Sequence, residues 1–361
     1  MSERVLVAMS GGVDSSVAAA LLRDQGYDVA GVTMQLWGKD VCVSSGTRLC
    51  CSVRDALDAR AVARRIGIPH ETLELADVFR SRVIDYFIDG YRQGLTPNPC
   101  IACNDHIKFG ALLEYADRRS ARFVATGHYA RVGADARIGR ATLSRALDDA
   151  KDQSYVLFNL SQAQLSRTLL PLGGLRKAEV RSLARRLAFA TAEKPDSQDV
   201  CFVRDRNKDG FLRRALGADD EPGPITDVEG NRLGTHRGLL GFTIGQREGL
   251  GIAVGRPMYV VALDQPNNRL VVGPRDALLR CTLQAERVNW LSIPPPQRPL
   301  RALAKIRSRH EGGMATVTPL AEQGAADVEF DEGQLAVTPG QAVVFYDGDL
   351  VLGGGWIAPH D

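Results

Sequence analysis

The sequence predicts an α/β protein in three parts: a parallel-sheet domain, a small β-rich domain and a C-terminal β-barrel. Three observations carry this expectation. The first two hundred residues alternate strand and helix signals, the pattern of βαβ units around a parallel sheet. From about residue 215 the texture changes to short apolar runs punctuated by Gly, Pro and Asn-Asn. From residue 300 onward closely spaced β-runs end in "QAVVFYDGDLVLGGGWI", as a small barrel requires. The boundaries fall at 1–210, 211–280 and 281–361.

The elements follow in order. Val5–Met9 is an apolar run that reads as a buried strand. Ser10-Gly11-Gly12 turns the chain, and Val17, Ala18, Leu21 and Leu22 then fall at helical spacing. "YDVAGVTMQLW" is a second strand. "SVRDALDARAVARRIGI" is helical, with Val53, Leu57, Ala61 and Ile66 on one side. "HETLEL" is a short strand opened by His70. Phe79, Val83, Phe87 and Tyr91 recur every fourth residue, one helix stripe. A helix beginning near His106 and the strand "ARFVATGHYARV" follow, and residues 154–190 read as helical. "NWLSIPPPQRP" is an irregular crossing before the final β-runs. Lys305, Arg307 and Arg309 alternate along one predicted strand, which would put three cations on one face.

Composition bounds the function. The chain has 361 residues, 44% of them hydrophobic, enough for real cores. No apolar run approaches the ~20 residues of a membrane helix, and the N-terminus lacks a signal-peptide pattern, so a cytoplasmic protein without membrane contact is expected. Seven scattered cysteines argue for reduced, reactive or metal-binding thiols over a disulfide framework. The net charge of +2 means that any nucleic acid must be held by a local basic patch. The basic helix "LRKAEVRSLARRLAF", with Arg181 and Arg185 one turn apart, reads either as such a patch or as a solvated face.

"VLVAMSGGVDSSVAAALL" has the shape of a phosphate cradle: strand, glycine turn, helix N-terminus. Ser10, Ser15 and Ser16 offer hydroxyls, and Asp14 either holds Mg²⁺ or organises the loop. The lysine of a Walker A loop is missing. A second motif is "TPNPCIACNDHIKFG", where Cys100 and Cys103 form a Cys-x-x-Cys pair just ahead of a predicted helix, a place that favours thiolate. Cys201 opens an apolar run in "EKPDSQDVCFV".

Ser-Gly-Gly-Val-Asp-Ser resembles the signature of the ATP pyrophosphatase (PP-loop) superfamily, whose members cleave ATP between the α- and β-phosphates and adenylylate a substrate oxygen. That chemistry only parks departing pyrophosphate in the cradle and needs no loop lysine. Five further stretches narrow the likeness: "TGHYAR" (126–131), "KDQSY" (151–155), "DSQDVCF" (196–202), "FTIGQREGLG" (242–251) and "VTPGQAVVFYDGD" (337–349). With the cysteine motif, they make the chain resemble the tRNA-specific 2-thiouridylase family from Val5 to Trp356.

The resemblance implies a PP-loop (adenine nucleotide alpha hydrolase-like) first domain and a tRNA-contacting barrel. It implies ATP, with Mg²⁺, at Ala8, Met9, Ser10, Gly11, Gly12, Val13, Asp14 and Ser15, and adenosine at Met34 and Gly127. Cys103 would be the nucleophile and Cys201 the persulfide carrier. Asn98, Pro99 and Cys100 would face the target base, taken out of its stack. Transfer RNA would meet His128, Lys151, Asp152, Gln153, Arg307, Ser308 and Gln341. A cysteine desulfurase or relay carrier would deliver sulfur. Adenylylation turns the uracil C2 oxygen into a good leaving group. Sulfur from Cys201 then attacks C2, and Cys103 frees that sulfur or resolves the linkage, leaving a Cys103–Cys201 disulfide to be reduced.

Many family members carry Asp where Cys100 stands, the natural acid/base near the uracil, and often an aromatic where Ser308 stands. The extra thiol lets Cys100, Cys103 and Cys201 form an iron–sulfur ligand set with one open iron site. Zinc would want a fourth ligand, such as Cys50 or Cys51. Two other functions stay open from the residues alone: a PP-loop amidating ligase, which needs no cysteine trio, and a non-catalytic RNA-binding module with a relic nucleotide loop.

Overall fold

The run Val5–Met9 is apolar at every position because it becomes β1 (Arg4–Ala8), the central strand of a sheet covered on both faces. Val5, Val7 and Met9 enter one core, and Leu6 and Ala8 the opposite one. The structure is a computed structural model that describes residues 2–37, 53–196, 200–203, 207–217, 221–320 and 324–359.

On either side of β1 lie β2 (Asp28–Gln35) and β4 (Phe123–Ala125), both parallel to it. β3 (His70–Glu74) and β7 (Thr168–Leu169) complete the order β3-β2-β1-β4-β7. The chain leaves β1 toward β2 on one side and reaches β4 on the other, so the sheet has its switch point between β1 and β4. Ligands of open α/β sheets bind there, beyond the strands' carboxyl ends.

Helix α1 (Val13–Asp24) packs Val17, Ala18, Ala19 and Leu22 into the core under β1. Helix α2 (Val53–Ile66) buries Ala59, Val62, Ala63 and Ile66. This corrects the expected stripe: Leu57 is 57% exposed and Ala61 is exposed as well. The true face starts at Ala59 with i, i+3, i+4, i+7 spacing, and small alanines marked it only weakly. The third helix, α3, runs Ala76–Phe79, widens to π geometry over Arg80–Ile84 and returns over Asp85–Arg92. Its stripe Phe79, Val83, Phe87 and Tyr91 is buried as expected.

The cysteine-bearing helix, α4, begins earlier than the sequence suggests. It runs Pro99–Ala102, a π-helical stretch Cys103–Ala111, then Leu112–Arg118. Pro99 fits the first helical position and the Asn98 side chain accepts from the Cys100 amide at 3.1 Å. Residues 154–190 are not one helix. A capping box at Ser161 opens the short α5 (Gln162–Leu165), β7 follows, and α6 (Lys177–Arg186) comes after Pro171 and two glycines.

The middle segment is a four-stranded sheet, β10-β11-β8-β9, built from β8 (Gly223–Thr226), β9 (Arg232–His236), β10 (Tyr259–Asp264) and β11 (Arg269–Gly273). It follows α7 (Lys208–Leu216) and closes on Ile225, Val260, Leu270 and Val272.

The last sheet holds β12 (Leu279–Asn289), β13 (Leu300–Lys305), β14 (Gly313–Leu320), β15 (Ala325–Leu335), β16 (Ala342–Asp347) and β17 (Leu350–Ile357). The pairing of β12 with β17 closes these strands into a barrel. The glycines of β17 let it lie close to β12: a Cβ on Gly355 would stand 2.6 Å from the Glu286 carbonyl. The hairpin β5 (Arg131–Asp135) and β6 (Arg140–Ser144) joins this sheet, with Ser144 opposite Leu350. Strand β13 ends at Lys305, so Arg307 and Arg309 do not continue an alternating face. The chain turns there instead, closed by the His310 amide on the Arg307 carbonyl at 3.0 Å.

Candidate nucleotide and thiol site

At the switch point the chain leaves β1 through Ser10–Gly12 into α1. Gly11 sits at φ +69°, and a Cβ there would run into the Asp55 carbonyl of α2. Gly12 is the N-cap of α1 and provides no side-chain cap. Gly12 therefore leaves the first-turn amides of α1 without a side-chain cap at the positive end of the helix, as an anion site requires. The loop braces itself: the Ser10 amide donates to the Ser15 hydroxyl at 3.2 Å, and the Ser16 hydroxyl to the Gly12 carbonyl at 2.8 Å. Gly127, just past β4, lies against the same turn. A Cβ on it would meet the Asp14 carbonyl carbon and the Ser15 nitrogen at 2.8 Å. The two glycines let α2 and the end of β4 pack directly on the loop, and the uncapped helix N-terminus suits a nucleotide polyphosphate. Met34 is buried near the end of β2.

Asp14 is occupied by protein groups. The Lys177 ammonium stands 2.8 and 2.7 Å from its two oxygens, and the Tyr129 hydroxyl donates to Oδ1 at 2.7 Å. Burial, reinforced by Asp14, pushes the Tyr129 pKa far up, so this hydroxyl stays a neutral donor. Lys177 also pairs with Asp196 at 2.8 Å. Asp196 in turn holds Lys151 at 2.8 Å and Arg181 at 3.1 Å. Burial raises the Asp196 pKa, but the hydrogen bonds from Lys151 and Lys177 outweigh it and leave the carboxyl below its usual value. A second lysine, Lys194, bridges the Gly11 carbonyl at 2.8 Å to Asp55 at 2.5 Å and Asp58 at 2.8 Å. The segment carrying Lys194 and Asp196 is thus strapped to both sides of the glycine loop, five residues before Cys201.

The sequence reading missed Lys177, Lys194 and Tyr129. Lys177 carried one signal: a cation at the start of a helix opposes the helix dipole, which implies a nearby carboxylate. Arg181 belongs to this network, and Arg185 pairs with Glu193 at 2.7 Å.

Cys100 is exposed, and Cys103 and Cys201 are half-buried. Cys103 and Cys201 pack against the same core. Cys201 is anchored there by Phe202, whose ring lies 5.2 Å from Phe87 and 5.4 Å from Phe211. Helix α4 is pinned by Asn104, which donates to the Val156 carbonyl at 2.9 Å. The barrel grips the approach to Asn98: the Gln341 amide donates to the Thr96 carbonyl at 2.7 Å, and the Thr96 amide to the Pro339 carbonyl at 2.9 Å. Among the described residues no group of three or more His, Cys, Asp or Glu stands where it could hold a metal. Cys50 and Cys51 lie outside the described residues.

His128 is buried, hydrogen-bonded to Thr126 at 2.7 Å and to Lys108 at 3.3 Å. Burial, then Lys108, hold its pKa well below the usual histidine value. Asp152 accepts from the Ala146 amide and the Ser154 hydroxyl, and Gln153 from the Tyr129 amide at 3.0 Å. The triad Lys151–Gln153 is thus a built loop tied to Tyr129 and Asp196. Arg307 donates to the Leu335 carbonyl at 3.0 Å, and Ser308 is exposed on the same turn of the barrel.

Residues 3–205 match the family described as the tRNA methyl transferase HUP domain, residues 209–274 the tRNA methyl transferase PRC-barrel domain, and residues 280–357 the aminomethyltransferase β-barrel domain. The chain is 51% identical to the tRNA-specific 2-thiouridylase MnmA of Heliobacterium modesticaldum, across 99% of this chain and 93% of that one. It is 50% identical to the protein of the same name from Symbiobacterium thermophilum, across 99% and 92%. With that of Clostridioides difficile the identity is 48%, across 99% and 98%. A strap of charged side chains between a glycine loop and a cysteine limb, on a chain alike from end to end, has one consistent assignment: the chain belongs to the tRNA-specific 2-thiouridylase family.

Proposed function

We propose that the protein is an ATP-dependent tRNA 2-thiouridylase that adenylylates the C2 oxygen of the wobble uridine and replaces it with sulfur. The observation that carries this is the seating of the Cys201 limb on the glycine loop through Lys194 and the Lys177–Asp196 pair. ATP would lie over the α1 N-terminus, with Mg²⁺ accompanying its phosphates. The loop from Ala8 through Ser15 and Gly127 would line the site, and Met34 would contact the adenosine.

The uracil oxygen attacks the α-phosphate and pyrophosphate leaves. Asn98, Pro99 and Cys100 face the base, while Lys151, Asp152, Gln153, His128, Arg307, Ser308 and Gln341 form or brace the RNA surface. A donor protein loads Cys201 as a persulfide. The Cys103 thiolate attacks the sulfur bonded to the Cys201 carbon, which forms a Cys103–Cys201 disulfide and expels hydrosulfide. Hydrosulfide adds to C2 and AMP departs. An external thiol then reduces the disulfide. The exposed Cys100 puts a thiol near the base where many family members carry a carboxylate. The three-part division at 1–210, 211–280 and 281–361 is part of the same proposal.

The test is to incubate the protein with tRNA, ATP and a persulfide donor and to quantify 2-thiouridine, AMP and pyrophosphate. One AMP per thiolated uridine is expected. Thiolation that proceeds without ATP, or that survives Cys201→Ser with a protein sulfur donor, overturns the reading.

A further inference from the structure

The glycine loop contains a contradiction. Asp14 lies in the first turn of α1, beside the amides that would hold phosphate. A bare carboxylate there repels a polyphosphate and subtracts from the attraction of the helix end. Lys177 meets it from α6, and all three of its N–H directions are used: Asp14 Oδ1 at 2.8 Å, Asp14 Oδ2 at 2.7 Å and Asp196 Oδ1 at 2.8 Å. Its side chain is 12% exposed, whereas Asp14 is 29% exposed, so the pair is screened less than a surface ion pair. Lys177 gains nothing from its own helix, where it occupies the first position, against the dipole. Asp196 is clamped by Lys151 and Arg181 and fixes the direction of the ammonium.

We propose that Lys177 is a nucleotide-positioning residue that works through Asp14. It cancels the carboxylate in the cradle, so that the α1 amides and the loop hydroxyls present net attraction to the phosphates. A Walker lysine reaches the phosphates themselves; here the cation acts on the loop's own anion instead. The proposal rests on the ATP-binding reading above.

The probe is a fluorescent α,β-methylene ATP analogue, with its Kd measured at equilibrium and folding followed by thermal melting. Lys177→Met is expected to weaken binding about tenfold or more, the loss of one partly buried compensating charge. Lys177→Arg is expected to stay within about threefold of the parent chain. Asp14→Asn introduced into Lys177→Met is expected to restore binding to within about threefold, because no charge remains to cancel. If Lys177→Met melts early, Lys177→Arg and the double variant, in which no charge is left unpaired, keep the comparison measurable. A Lys177→Met chain that binds normally, a Lys177→Arg chain that binds as weakly as Lys177→Met, or a double variant no better than Lys177→Met each overturn the proposal. A parent chain that binds no analogue overturns the ATP reading itself.

Discussion

Gln341 of the barrel donates its side-chain amide to the Thr96 carbonyl at 2.7 Å, two residues before the cap of the cysteine-bearing helix. The barrel therefore holds Asn98, Pro99 and Cys100 in register with the nucleotide domain. Gln341→Ala removes that bond while the neighbouring Thr96–Pro339 backbone bond persists. We expect a loss of about 1 kcal/mol in unfolding free energy and a severalfold slower thiolation, with ATP-analogue affinity unchanged. Urea melts and single-turnover thiolation measure the two effects.

Cys103→Ser and Cys201→Ser separate the two halves of the reaction. Each should cut 2-thiouridine formation by on the order of a thousandfold or more, while tRNA-dependent pyrophosphate release continues. Loss of pyrophosphate release in both variants would place the cysteines in adenylylation instead.

Gly127→Ala puts a methyl 2.8 Å from the Asp14 and Ser15 backbone. Backbone cannot rotate away as a side chain does, so the end of β4 must shift from α1. We expect about 1–3 kcal/mol of destabilisation and at least tenfold weaker nucleotide binding. Gly174→Ala, where nothing lies within 4 Å, is the control.

His310 gives the pH dependence a sign. Burial first, then Arg307 and Lys305, lower its pKa from 6.5 to about 4. Below pH 6.5 the unfolded chain takes up a proton that the folded chain refuses until about pH 4. Stability contributed by the neutral ring is thus complete above 6.5 and drains away as the pH falls through that window. His310→Gln should flatten the acid slope by about 1–2 kcal/mol after allowance for solvent screening. Melting temperatures from pH 7 to 4 read it out.

Lys151→Met tests the RNA surface. If Lys151 meets one phosphate, the salt dependence of tRNA binding should fall by about 0.7–0.9 in log–log slope. An unchanged slope would leave Lys151 as a partner of Asp196 only.

Much of the fold was legible because burial writes itself into period and run length. Val5–Met9 announced a buried strand, and Phe79, Val83, Phe87 and Tyr91 a helix face. The α2 face was misplaced because alanine carries little hydrophobic signal, so Leu57 drew attention that Ala59 and Ala63 deserved. The start of α4 lies earlier than the predicted helix near His106 because Pro99, which breaks a helix interior, suits its first position. At the site, Ser10–Ser15, Cys103 and Cys201 stand out by motif. Lys177 and Lys194 do not, because their partners Asp14, Asp55 and Asp58 lie more than 130 residues away in the chain. Beyond the cation that opens α6, long-range charge pairing leaves no local pattern to read.

The hairpin β5–β6 has a consequence for cutting the molecule apart. Because Ser144 pairs with Leu350, a fragment ending before β12 would bare a strand flank that the intact chain covers. Such flanks recruit one another. A truncated protein carrying only the first two segments should therefore self-associate at concentrations where the whole chain stays dispersed, and removing residues 131–144 along with the C-terminal strands should cure it.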